Sequence, residues 1–186
     1  MDTKELIMDA TIQAFNRKGI KFTMDDIAKE LHISKKTIYT LFQTKENLFL
    51  STVDYCFNQI HESEQYILED SSLTTLEKLE KMLVVLPERY QNIDWRNIYL
   101  CKGKYPLIYV QIERRLRTGW ENTFNLLNQA IEEKVIRPIS IPVLKEIVDA
   151  SLEHFISSTV LIQYDVPYDT ALEEFISIIM HGIVAK

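Results

Sequence analysis

The sequence predicts an all-α fold. Apolar residues recur at spacings of three and four along most of the chain, no segment alternates with a period of two, and capping residues stand ahead of several periodic stretches. With 186 residues, 46% of them hydrophobic, the chain can bury a core without a disulfide or a metal. Its four glycines stand alone, which excludes the glycine-rich phosphate loops of nucleotide-binding folds.

About nine helices are expected. Ile7, Ala10, Ala14 and Phe15 mark the inner face of a helix from Thr3 to Lys18, stopped by Gly19. Thr23 and Asp26 form a capping box that opens a short helix carrying Ile27, Ala28 and Leu31. Ser34 caps the next, Lys35 to Phe42. Thr44 opens a helix of some 25 residues, with Leu48, Phe49, Val53, Cys56, Ile60 and Ile67, that is expected to bridge two bodies.

A second capping box, Thr74 to Glu77, leads into Leu79, Met82 and Leu86, with a kink or an end expected near Pro87. Residues 92 to 106 read as a short helix between loops. Leu107 to about Lys134 reads as one helix, Pro142 to Tyr164 as another, and a last helix follows Pro167.

Charge is unevenly distributed. The chain carries 21 basic and 27 acidic residues, for a net charge of −6, yet its first fifty residues are nearly neutral. Within them Lys35, Lys36 and Lys45 fall in an acid-free stretch, a local basic patch on a neutral module joined to an acidic body. Two cysteines without CxxC spacing, Cys56 and Cys101, are expected as free thiols. The N-terminus lacks an export signal and no run is apolar enough for a membrane, so a cytoplasmic location is expected.

Residues 20 to 49 carry the functional signal. Two short helices joined by three residues, with Ile27, Ala28, Leu31, Ile33, Ile38 and Leu41 apolar, have helix-turn-helix spacing. Ala28 is small enough to let the second helix cross closely. That second helix would enter the major groove with Lys35, Lys36, Thr37, Tyr39 and Thr40 facing outward, lysines for phosphate or guanine and hydroxyls for phosphate or base edges.

The run Gly19-Ile20-Lys21-Phe22-Thr23-Met24-Asp25-Asp26-Ile27-Ala28, continued through Ser34-Lys35-Lys36-Thr37-Ile38-Tyr39 to Lys45-Glu46-Asn47-Leu48, resembles the signature of TetR-type transcriptional regulators. The resemblance implies a DNA-binding domain over residues 1–47 and a ligand-binding and dimerisation domain over 48–186. It implies a homodimer on a palindromic operator of double-stranded DNA, most often a repressor, released by a small-molecule effector. By motif position the DNA contacts would be Thr23, Lys35, Lys36, Thr37, Tyr39 and Lys45. Where the family usually has Ala-Gly in the turn this chain has Leu31-His32, and His is among the residues that tolerate the left-handed conformation required there. Leu41 stands where the family tends to place an aromatic or a histidine.

Family pockets lie between the middle helices, which makes Trp95, Tyr99, Tyr109, Trp120, Phe124 and Phe155 the candidate effector-binding residues. The last two helices hold more apolar residues than one inward stripe can use. Leu152, Phe155, Phe175, Ile176, Ile179 and Ile183 are the candidate dimer contacts, within a wider set that includes Ile147 and Ile178. No cofactor and no metal site are expected, since His61 and His154 lack partners at metal spacing. Neither Glu-x-x-His pairs nor a GxSxG motif is present, so no catalytic residue is assigned and an enzyme is the least favoured reading. A helical adaptor using its helix-turn-helix for protein contacts is the alternative.

Overall fold

The computed structural model describes residues 2–83 and 96–184. Among them are eleven α-helices and one 3-10 turn. These are α1 (Thr3–Lys18), the turn Gly19–Lys21, α2 (Met24–Glu30), α3 (Lys35–Phe42), α4 (Lys45–Glu69) and α5 (Thr75–Leu83). They continue as α6 (Arg96–Lys104), α7 (Pro106–Arg117), α8 (Glu121–Glu132), α9 (Ile141–Ser157), α10 (Thr159–Gln163) and α11 (Tyr168–Ile183). The all-α expectation holds, and α1 to α4 begin and end where their caps foretell. The kink expected near Pro87 lies outside the described residues.

Two expected helices are each two. The stretch read as Leu107 to Lys134 breaks at Gly119, whose φ of +92° no ordinary residue adopts cheaply, giving α7 and α8. The stretch from Pro142 to Tyr164 breaks at Ser158, which is extended and donates its N–H to the Phe155 carbonyl.

The described residues form two compact units, 2–59 with 96–114 and 60–83 with 115–184. In the first, Ile7, Ile27, Ile38, Leu48 and Ile108 are fully buried. Phe49 of α4 is its aromatic hub, 5.3 Å from Phe15, 5.4 Å from Phe22 and 6.0 Å from Tyr105, ring centre to ring centre. The Phe22 and Tyr105 contacts are edge-on and the Phe15 contact is tilted, and such ring pairs contribute beyond the area they bury.

This unit extends past residue 47 because α6 and α7 pack into it. At Gly19, φ is +54°, which side chains rarely adopt, and an added Cβ would stand 2.4 Å from Asn97 Oδ1 of α6, so the Asn97 side chain would have to turn away. Gln111 of α7 donates to Asp54 of α4 at 2.9 Å.

The second unit packs Leu79 and Met82 of α5, Leu126, Leu127 and Ala130 of α8, Leu144 and Val148 of α9, and Ile176, Met180 and Ile183 of α11 into one core. Removing a fully buried side chain such as Leu127 should destabilise it by about 2–5 kcal/mol. Arg137 donates its backbone N–H to the Ile183 carbonyl and its Nε to the Gly182 carbonyl, both at 2.8 Å, and so satisfies the open end of α11.

Ile176 and Ile183 are 4% and 5% exposed, which makes them core of their own chain and corrects their assignment as partner contacts. The outward apolar side chains are Val143 and Ile147 of α9 and Ile178 of α11, each about half exposed or more, beside half-buried Ile179. They border a groove of about 330 Å³. Leu152, Phe155 and Phe175 are half-buried, with Phe155 edge-on to Phe175 at 5.8 Å. Cys56 and Cys101 are both free thiols.

Candidate nucleic-acid interface

Local chemistry sets the two short helices. Thr23 accepts from the Asp26 N–H at 3.3 Å while the Asp26 carboxylate accepts from the Thr23 N–H at 2.9 Å, a reciprocal box that starts α2. The Lys18 ammonium, 2.7 Å away, is the main cause that holds the Asp26 carboxyl down at about 2.

At the end of α2, His32 takes a φ of +54°, as the sequence foretells, and the Ile33 N–H reaches back to the Ala28 carbonyl at 3.0 Å. This closure turns the chain sharply. Ser34 then accepts from the Thr37 N–H at 3.1 Å and opens α3.

In α3, Ile38 and Phe42 are buried. The opposite face bears Lys35, Lys36, Tyr39 and Thr40, all exposed, with Thr37 at its edge. A helix with its side chains is about 10–12 Å across and the major groove about 12 Å wide, so a helix exposed along this face is the right size to enter.

The candidate residues differ in what they already hold. Lys36 ends free of any ion pair among the described residues, and Tyr39 is 46% exposed. Lys35 is paired with Asp25 at 2.5 Å, and that carboxylate holds Lys35 above the ordinary lysine value. The Thr37 hydroxyl lies 2.9 Å from that of Ser34, and Thr40 donates to the Lys36 carbonyl at 2.8 Å. Thr23 is engaged in its capping box.

Lys45 departs from its expected role. Its ammonium donates to the carbonyls of Ile20, at 2.9 Å, and Phe22, and stands 4.0 Å from the centre of the Phe22 ring. Read from the sequence it is a phosphate anchor; in the fold it ties α4 to the 3-10 turn.

The candidate effector aromatics do not gather in one place. Tyr99 and Tyr109 meet edge-on at 6.4 Å in the first unit, with the Lys102 ammonium 5.4 Å from the Tyr109 ring. Trp120 and Phe124 pair at 5.9 Å in the second unit, where Phe155 packs instead on Phe175 and Tyr168. Each ring is held by a neighbouring ring, Tyr109 buried and Tyr99 exposed. Trp95 lies outside the described residues. Among the described residues no group of three or more His, Cys, Asp or Glu is placed to hold a metal ion. Nor is any of their helices long and apolar enough to cross a membrane.

A tight α2–α3 corner with a cationic, hydroxyl-bearing outer face, in an all-α chain, is the geometry of a helix-turn-helix. Residues 7–52 match the family described as bacterial regulatory proteins, tetR family.

The chain is 25% identical over 179 residues to YvaF, an HTH-type transcriptional regulator of Bacillus subtilis, covering 96% of this chain and 94% of that one. It is 38% identical over 56 residues, 30% of each chain, to IcaR of Staphylococcus epidermidis, the negative transcriptional regulator of the biofilm operon icaADBC. Its fold is that of a TetR-family transcriptional regulator from Cytophaga hutchinsonii, with a TM-score of 0.70 at 18% identity over 99% of this chain and 96% of the other.

Proposed function

We propose that this protein is a repressor that binds a palindromic operator as a homodimer and is released by a small-molecule effector, acting in the cytoplasm. The observation that carries the DNA-reading part is the outer face of α3, where Lys35, Lys36 and Tyr39 project from a helix whose other face is anchored by Ile38 and Phe42. The negative regulator IcaR, similar over the reading region, supports repression. The exposed apolar side chains of α9 and α11 support pairing about a two-fold axis. Lys36 and Tyr39 are the contacts in first position, with Thr37 and Thr23 at the rim and Lys35 available once it leaves Asp25.

Fluorescence anisotropy with duplex DNA tests this. Between about 50 and about 200 mM salt the affinity should fall by roughly a thousandfold if about six phosphates are neutralised. Lys36→Ala should weaken binding to every duplex and lower the salt slope by about one unit. Salt-independent binding, or none, would favour the adaptor reading instead.

A further inference from the structure

The DNA-binding unit itself contains a cavity that the DNA-reading role does not use. It is walled by Ile12 and Phe15 of α1, Phe49 and Val53 of α4, Ile98 of α6 and Ile112 of α7, all within the first unit. Two threonines, Thr11 and Thr52, also border it. Each donates its hydroxyl at 2.8 Å to the carbonyl one turn back in its own helix, to Ile7 and to Leu48, so neither offers a proton to an occupant. The wall is apolar throughout, and Cys56 and Phe57 extend it along α4.

Size narrows the occupant further. The cavity is partly open and encloses about 60 Å³. That is less than half of the roughly 150 Å³ apolar cavity that admits a benzene ring. A flat ring would have to displace the wall, whereas a chain of methylenes is slim enough to enter and can leave a polar end in water. A charged or hydrogen-bonding group carried inside would lose its hydration without a partner.

We propose that this cavity binds the end of an unbranched alkyl chain. The binding stands independently of DNA recognition; its use in regulation rests on the ligand-responsive reading above. Such a chain would lie against Phe49, whose ring meets Phe22 edge-on. Phe22 immediately precedes Thr23, the cap of α2, so occupancy bears on the base of the helix-turn-helix.

Calorimetric titration of the full chain with 1-butanol, 1-pentanol, 1-hexanol and 1,6-hexanediol tests the proposal. Affinity should rise with each methylene from butanol to hexanol, by less than the roughly fourfold of a CH₂ that leaves water completely, because the cavity takes the end of the chain and the rest lies in its open mouth. The diol, forced to bury a hydroxyl, should bind at least about tenfold more weakly than hexanol. Val53→Leu, which fills the space from inside, and Cys56→Leu, at a half-buried position on its wall, should each weaken hexanol by about tenfold or more while circular dichroism stays helical. A flat chain-length series, or hexanol binding unchanged in the folded filling variants, would overturn the site. Duplex binding measured in parallel separates the two readings. A chain that takes hexanol as described but ignores DNA upholds the cavity and refutes DNA reading, and the converse refutes the cavity alone.

Discussion

Lys45 and Phe22 are joined twice. The ammonium donates to the Phe22 carbonyl and lies 4.0 Å from the centre of the Phe22 ring, while a second bond, to the Ile20 carbonyl, fixes the same turn of chain. Lys45→Ala should therefore lower the stability of the first unit by about 2 kcal/mol, because charge-assisted bonds to two carbonyls and the cation–π contacts with Phe22 and Tyr105 go together. Urea unfolding measures this. The salt slope of DNA binding should stay as in the parent; a slope reduced by about one unit with stability unchanged would return Lys45 to the phosphate backbone.

The Asp25–Lys35 pair sets a second expectation. Asp25→Asn frees the Lys35 ammonium on the face of α3, so nonspecific duplex affinity should rise at low salt and the salt slope steepen by about one unit. Adding Lys35→Ala to Asp25→Asn should cancel the gain. Anisotropy that is the same for parent and Asp25→Asn would show that Lys35 does not reach DNA.

Acid should loosen the start of α2. The Asp26 carboxyl titrates at about 2 in the fold against 3.8 unperturbed, so its contribution is present above about pH 4 and is lost as the pH falls toward 2. Since the partner Lys18 side chain is 51% exposed, the contribution should be on the order of 1 kcal/mol. Asp26→Asn should lie below the parent in denaturant unfolding at neutral pH, and the two should converge near about pH 2. A gap that persists at that pH would assign the loss to something other than the charge.

Ile147→Glu or Ile178→Glu, on the outward apolar face of α9 and α11, should yield folded monomers by sedimentation, with operator affinity lost because half-sites bind weakly alone. A parent that is monomeric at micromolar concentration would end the homodimer proposal.

What the sequence disclosed follows from how local each cause is. N-terminal caps act within four residues, so the starts of α2, α3 and α5 are legible, and His32 sits in its left-handed turn as the motif requires. Gly119 was hidden because the apolar period continues on both sides of it. Ile176 and Ile178 are equivalent as letters, and only the packing of α5 and α8 decides that the first is core and the second outward. Lys45 sits in a basic run, but the carbonyls that claim it belong to a 3-10 turn more than twenty residues earlier. The alkyl cavity draws on α1, α4, α6 and α7, and no spacing in the sequence announces that meeting.

The contact between α6 and Gly19 bears on protein engineering. Because the DNA-reading unit is assembled from two separate stretches of chain, it is not a cassette. A chimera that grafts residues 2–59 alone onto another regulator would strip Asn97 from the 3-10 turn and Tyr105 from Phe49. Exchanging operator preference between relatives then requires either extra crossovers that carry 96–114 along, or point changes confined to Lys36, Tyr39 and Thr40. The second route leaves every interior contact of the unit in place.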